Sequence, residues 1–249
     1  MLKAVSSKSR TLTDLTEQEL RKAILTGEFQ PGSQLPTEAE LIDMLKVSRT
    51  TVREALRSLE NEGLVLRRHG VGTFVLERPI INNFGINYGV SEMIRMSNMT
   101  PGTSELNVST ISASGEVADQ LMINNGEPVI SIERVRTANN KPVVYSLDFI
   151  PISLLGGKEI PPDLHPNFSL YDFLQSEFNI NIEYGVARIA PIKADKKVAS
   201  KLAQKKDSIL LFIAQTDFQA NETPVLYTHE YNLPNAFNYG FLRRRPSRI

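Results

Sequence analysis

Arg49, Arg53 and Arg57 recur at intervals of four residues, so on a helix they form one row of guanidinium groups. A guanidinium presents parallel N–H donors and matches acceptors in pairs: a carboxylate, a phosphate, or the O6/N7 edge of a guanine. Thr50 and Thr51 stand in the first turn of the same stretch, where hydroxyls and unpaired backbone amides face whatever meets the helix end. The competing reading is a solvated row pairing with Glu54, Glu60 and Glu62, which stays open for Arg57, the arginine furthest from the helix start. A second pair, Arg134 and Arg136, is spaced by two. On a strand both point to one face, a clamp for a phosphate or carboxylate; the alternative is surface arginines paired with Glu133 or cross-strand acids.

The first row needs a scaffold, and the first quarter of the chain supplies one. Thr13–Thr26 carries Leu15, Leu20, Ile24 and Leu25 near a helical period and ends at Gly27, with Pro31 beyond. Thr37-Glu38-Ala39-Glu40 is a capping box, opening a helix whose apolar stripe is Leu41, Leu45 and Met44. After a break at Lys46-Val47, Ser48 is placed to cap a third helix, Arg49–Asn61, with Val52, Ala55, Leu56 and Leu59 on its buried side and Gly63 ending it. Two short helices joined so tightly form a helix-turn-helix unit. Leu64–Arg68 and Thr73–Leu76 then read as strands flanking His69-Gly70-Val71-Gly72, a hairpin that makes a wing. In such a unit the N-terminal residues of the third helix enter the major groove of double-stranded DNA, and Arg67, Arg68 and His69 bring the wing to the backbone, with Gly70 and Gly72 allowing close approach.

Net charge is zero, 28 Lys and Arg against 28 Asp and Glu, whereas a chain that coats nucleic acid without selectivity is strongly basic. Contact with DNA is therefore expected to be local, on a small basic face. Cysteine is absent, which removes disulfide and thiolate chemistry and fits a reducing compartment. No apolar run is long enough to span a membrane, and the charged N-terminus lacks the apolar core of a secretory signal, so the expected location is the cytoplasm. His165 and His229 show no metal-ligand spacing, and neither a metal nor a cofactor is expected.

From Arg78 to Asn87 periodicity is lost, and residues 78–88 read as a linker between a DNA-binding domain of residues 1–77 and a second domain of residues 89–249. The second domain reads as a helix at Ser91–Asn98, strands at Ser104–Ala113, Val129–Thr137 and Val143–Ile150, and a helix at Leu170–Phe178. A strand at Ile182–Ile192, a helix at Ala194–Leu202, and strands at Ile209–Gln219 and Val225–Tyr231 follow. Asn139-Asn140 and Ala220-Asn221 are turn pairs, so the expected class is α+β with a largely antiparallel sheet.

Four segments, Pro31–Glu38, Val47–Leu56, Glu62–Val65 and Gly70–Val75, resemble the signature of the GntR family in order and spacing over residues 11–76. The resemblance implies operator binding as a homodimer, with Ser48, Arg49, Arg53 and Gly70 at positions the family uses on DNA. It completes a candidate DNA-facing set of Thr37, Ser48, Arg49, Thr50, Thr51, Arg53, Arg67, His69, Gly70 and Gly72, in which Thr37 has the competing role of helix cap. Many members carry Arg between the two acids of the second helix; here Ala39 stands there, so one contact is expected to be missing.

Glu133–Arg136 with Lys141–Val144, then Phe149-Ile150-Pro151, and Ser169-Leu170-Tyr171 resemble the UTRA domain of the HutC subfamily over about residues 90–240. This implies a chorismate-lyase-like fold that binds a small effector. Ser169 and Tyr171 fall where relatives touch the effector, although Ser169 is equally suited to cap the following helix and Tyr171 to the core. Gly89, Val90 and Ser91 occupy the helix start that relatives set against an anionic group, and Asp148 and Tyr231 complete the candidates. Relatives that take amino-sugar phosphates often place Glu where this chain has Ser146 and Leu226, which argues against that ligand.

The expected function is a transcription factor repressing a transport or catabolic operon and released by a phosphorylated or carboxylated metabolite such as a sugar phosphate. An activator is one alternative. An enzyme with residual lyase activity is the other, disfavoured because no Ser/His/Asp or Cys/His constellation is recognisable.

Overall fold

The computed structural model describes residues 11–77, 82–83, 85–158, 160–161, 168–237 and 239–240. The chain forms two compact units: the N-terminal elements together with a short strand near the chain end, and a larger unit spanning Asn87–Phe237.

In the first unit α1 spans Leu12–Leu25, α2 Glu38–Leu45 and α3 Arg49–Glu62. Each begins at a hydroxyl that accepts an otherwise orphaned amide: Thr11 from Asp14, Thr37 from Glu40 and Ser48 from Thr51. Lys46 turns the chain between α2 and α3 in the left-handed region, at φ 55°, and Gly63 ends α3 at φ 78°. Val52, Ala55, Leu56 and Leu59 of α3 are buried with Leu20 and Ile24 of α1, Leu41 of α2, and Leu35 and Leu64. Two residues of the expected apolar stripes fall outside this core: Leu15 and Met44 lie toward water, 45% and 60% exposed.

β1 (Val65–Arg68) and β2 (Gly72–Val75) pair antiparallel as the wing. The segment before α2 joins them: the Leu35 amide donates to the Thr73 carbonyl at 2.8 Å, and the Val75 amide to that of Ser33 at 2.9 Å. β3 (Asn82–Asn83) lies within the expected linker and pairs in parallel with the last described strand, at Tyr239–Gly240.

In the second unit α4 spans Val90–Met96 and β4 Pro101–Ser112. A helix not foreseen from the sequence, α5 (Glu116–Gln120), precedes β5 (Pro128–Ala138) and β6 (Lys141–Pro151). After a 3-10 turn at Ile152–Leu155 come α6 (Leu170–Phe178), β7 (Tyr184–Lys193), α7 (Lys196–Lys201), β8 (Ile209–Phe218) and β9 (Pro224–Asn232). Ala194 falls outside α7 because Asp195 caps it, accepting the Val198 amide at 2.8 Å. Asn139 and Asn140, at φ 48° and 64°, make the tight β5–β6 turn. The sheet order is β4-β5-β6-β9-β8-β7, every pair antiparallel.

Side chains alternate between the two faces of this sheet. One face packs Ile130, Ile132, Ile150 and Leu226 against Leu170 and Leu174 of α6. The opposite face packs Val135 and Tyr145 against Val198 and Ala199 of α7, with Tyr231 partly buried beside them.

Candidate nucleic-acid interface and anion site

In the first unit, burying Val52, Ala55, Leu56 and Leu59 turns the opposite side of α3 outward, so Arg49, Arg53 and Arg57 are exposed. The acids that could have neutralised them are engaged elsewhere. Glu62 is buried and accepts from Arg21 Nε at 2.9 Å, Glu54 accepts from the Thr13 hydroxyl at 3.3 Å, and Glu60 accepts the Arg67 amide at 3.4 Å. The side chains of Arg49, Thr50 and Arg57 have no hydrogen-bond or ion-pair partner among the described residues. Thr51 and Ser48 are tied to each other, hydroxyl to hydroxyl at 2.8 Å, and Thr37 is held by Glu40.

Sequence reasoning passed over Glu38 here. Its carboxylate accepts from Arg67 at 2.8 Å and stands 3.9 Å from Arg53 Nε, so one acid of α2 joins the recognition-type helix to the wing. Arg68 lies over the Phe74 ring at 4.7 Å, and His69 and Gly70 are exposed at the wing tip. Gly72 sits at φ 143°, a backbone conformation that side chains rarely adopt, and a Cβ there would displace the Gln34 amide, which donates to the Val71 carbonyl at 3.1 Å.

In the second unit, Arg134 and Arg136 of β5 share a face as their spacing requires, and both are buried, 6% and 1% exposed. Arg134 donates to Asp148 at 2.8 Å and lies 5.2 Å from the Phe168 ring. Arg136 donates to the Ser91 hydroxyl at 2.6 Å and to the Phe168 carbonyl at 3.4 Å. Each retains a buried Nε–H with no acceptor among the described residues. Burial, reinforced by repulsion from Arg134, pulls the Arg136 pKa down to about 10.

The other expected residues divide. Gly89 caps α4 without a side-chain bond, Val90 starts it, and Ser91 is drawn under Arg136. Asp148 accepts from Arg134, from Ser146 at 3.2 Å and from Thr228 at 3.0 Å, which fixes it beside the Arg134 guanidinium. Ser169 does cap α6, accepting the Asp172 amide at 3.4 Å. The Tyr171 hydroxyl is engaged by Asp217 at 2.9 Å and Asn87 at 3.1 Å. Tyr231 is not brought to this site. It stacks on Tyr145 at 5.6 Å on the opposite face of the sheet, because period-two alternation turns its neighbour Glu230 inward instead.

Glu230 went unrecognised, as did Thr228, Gln215 and Asp217. It pairs across the strands with Ser146, on the arginine face, while Leu226 lies in the core. Burial, helped by the Asp148 carboxylate, raises its pKa to about 7, and burial raises that of Asp217 to about 6. A period-two reading of β9 anchored on Thr228 would have found both Thr228 and Glu230; nothing local marks Asp217. No group of three or more His, Asp or Glu residues suited to a metal occurs among the described residues, and no described helix is long and apolar enough to cross a membrane.

Residues 12–75 match the bacterial regulatory proteins of the gntR family, and residues 96–238 match the UTRA domain. The chain is 30% identical to the HTH-type transcriptional repressor NagR of Bacillus subtilis strain 168, over 90% of each chain. It is 26% identical to the HTH-type transcriptional regulator GgaR of Escherichia coli K12, over 85% of this chain and 82% of that one. Among solved structures, the possible transcriptional regulator YydK from Bacillus subtilis matches with a TM-score of 0.72 at 19% identity, covering 95% of this chain and 100% of that one. PhnF from Mycobacterium smegmatis matches with a TM-score of 0.59 at 24% identity, covering 93% and 100%. At these identities the structural likeness speaks for the fold alone.

Proposed function

The chain belongs to the gntR family of bacterial regulatory proteins and carries a UTRA domain, and on that footing we propose that it is a repressor of the HutC subfamily, acting in the cytoplasm as a homodimer on the operator of a transport or catabolic operon. At the coarser level it is a transcriptional regulator of the GntR and UTRA type, not an enzyme: a DNA-binding unit joined to an effector-binding one. The released state is induced by a small anion, a phosphorylated or carboxylated metabolite, held between Arg134 and Arg136 beside Gly89, Val90, Ser91, Ser169 and Tyr171.

The observation that carries the effector reading is the pair of buried, unpartnered Nε–H groups on Arg134 and Arg136. A buried donor without an acceptor costs about 1–3 kcal/mol, more when charged, and an anion accepting both bonds would recover that. For operator reading the support is the exposed row of Arg49 and Arg53, with Thr50 beside them and His69–Gly72 on the wing. A monomer reads few base pairs, so selectivity calls for two heads. The edge strand β7 favours pairing of sensor units, since it exposes Tyr184, Val186 and Ile189 along an open strand.

A thermal-shift screen of sugar phosphates and small carboxylates, run on wild type and Arg136→Ala, tests the effector class. The expected result is stabilisation of wild type by at least one anion and its loss in the variant. Equal stabilisation of both proteins would refute the arginine site. Gel shift on DNA upstream of its own gene, with and without the stabilising compound, tests repression.

A further inference from the structure

Asp217 of β8 is fully buried and collects three donors. Gln215 Nε2 reaches Oδ1 at 2.7 Å, Asn87 Nδ2 reaches Oδ1 at 2.9 Å, and the Tyr171 hydroxyl reaches Oδ2 at 2.9 Å. Asn87 closes the group from outside. Its Oδ1 accepts from Gln215 at 2.9 Å and lies 3.1 Å from the Tyr171 hydroxyl, whose single proton it shares with Asp217. The cluster rests on the bare backbone of Gly185, where a Cβ would meet Asp217 at 2.6 Å, Gln215 at 2.9 Å and Asn87 at 3.0 Å.

Three of these residues belong to the body of the sensor unit. Asn87 is its first residue, the point at which the chain enters from the expected linker. Two routes join Asn87 to the arginines. Arg136 holds Ser91, four residues beyond Asn87, and it also bonds the carbonyl of Phe168, three residues before Tyr171. An anion that captured the Arg136 guanidinium would therefore pull on both segments that meet at Asn87. Asn87 is exposed, so water competes for its bonds, whereas Asp217 beneath it is buried and keeps its demand for donors. That combination suits a contact that opens and recloses.

We propose that Asn87 is a latch: its bonds to Asp217, Tyr171 and Gln215 pass the occupied or empty state of the arginine site to the start of the linker. The proposal rests on the reading of Arg134 and Arg136 as an anion site. It requires a coupling between two places, so spatial proximity alone is insufficient and the coupling must be measured.

The test uses the full chain with inorganic phosphate as probe, reading phosphate affinity by calorimetry and amide exchange over residues 85–96 by mass spectrometry. In wild type, saturating phosphate should change exchange there by threefold or more. Asn87→Ala and Gly185→Ala, which break the latch from opposite sides, should lose the phosphate-dependent change and, because the coupling is reciprocal, shift phosphate affinity by no more than about the factor lost from exchange. Asn87→Asp adds a readout that a merely structural role would not move. Above pH 7 it sets two carboxylates together and should behave as Asn87→Ala; at pH 5 a protonated Asp217 can donate to it and the change should return. The charged groups around Asp217 are the carboxylates of Asp148 on β6 and Glu230 on β9, and Glu230 also loses its charge in that window. Persistence of the phosphate-dependent change in Asn87→Ala, or a fall in its affinity well beyond the factor lost from exchange, overturns the latch and leaves the anion site standing. Phosphate affinity unaltered by Arg136→Ala overturns the site and the latch with it.

Discussion

Arg136 donates to the hydroxyl of Ser91, 45 residues earlier in the chain, at 2.6 Å, and its Nε–H is left without an acceptor among the described residues. The bond anchors α4 to the sheet and at the same time keeps a buried positive charge only partly satisfied. The proposed anion site rests on this arrangement, because a buried charge is costly until its donors are matched.

Removing that charge should weaken the cognate anion by roughly ten- to a hundredfold, since a hydrogen bond to a charged group contributes about 1.5–3 kcal/mol. Arg136→Lys should not restore it, because an ammonium lacks the fork of parallel donors. Calorimetry on the compound identified by the screen measures both; a lysine variant that binds like wild type would contradict the two-point geometry.

Arg49→Ala and Arg53→Ala should each lower operator affinity by about 1–3 kcal/mol and relax sequence preference while leaving the fold intact, because both side chains are exposed. Footprinting on the upstream promoter and circular dichroism give the two readings. Unchanged protection would remove α3 from the operator contact. Glu38→Gln should weaken binding more modestly, through the loss of order in Arg53 and Arg67, whose shared partner it is.

Stability should fall as pH rises from 5 to 8. Glu230 and Asp217 have folded-state pKa values of about 7 and about 6, above the ordinary carboxylate range of the unfolded chain. Raised values favour the protonated folded form, so the contribution is complete at acid pH below the unfolded pKa. It is lost as pH climbs through the folded one. The loss is on the order of a few kcal/mol and should shrink in Glu230→Gln. Urea melts at pH 5 and pH 8 decide it: an identical pH slope in the variant would mean Glu230 is not the acid responsible.

Gly72→Ala should destabilise the wing by about 1–3 kcal/mol and lower operator affinity, since the new Cβ would collide with Gln34 at a backbone φ that side chains rarely adopt. Ligand binding to the sensor should not change. A variant with wild-type affinity for operator would show that the wing does not touch DNA.

Much of the first unit was legible because its signals are local. The capping box at Thr37–Glu40, the cap at Ser48 and the left-handed Gly63 act within a few residues of themselves and mark α2 and α3 almost to the residue. The spacing of Arg134 and Arg136 likewise requires a common face once a strand is granted. α5 was missed because five residues are too few for a periodic pattern to emerge.

The sequence by itself determined the two kinds of unit, the exposed arginine row and the shared face of the arginine pair, since each follows from backbone period or from a cap a few residues away. Only the tertiary structure decided that Glu38 ties Arg53 to Arg67, that Glu230 rather than Tyr231 faces Ser146, and that Asn87 meets Asp217 across 130 residues. Those pairings depend on strand register and on which surfaces the whole core brings together, and a one-residue shift in register would reverse every face.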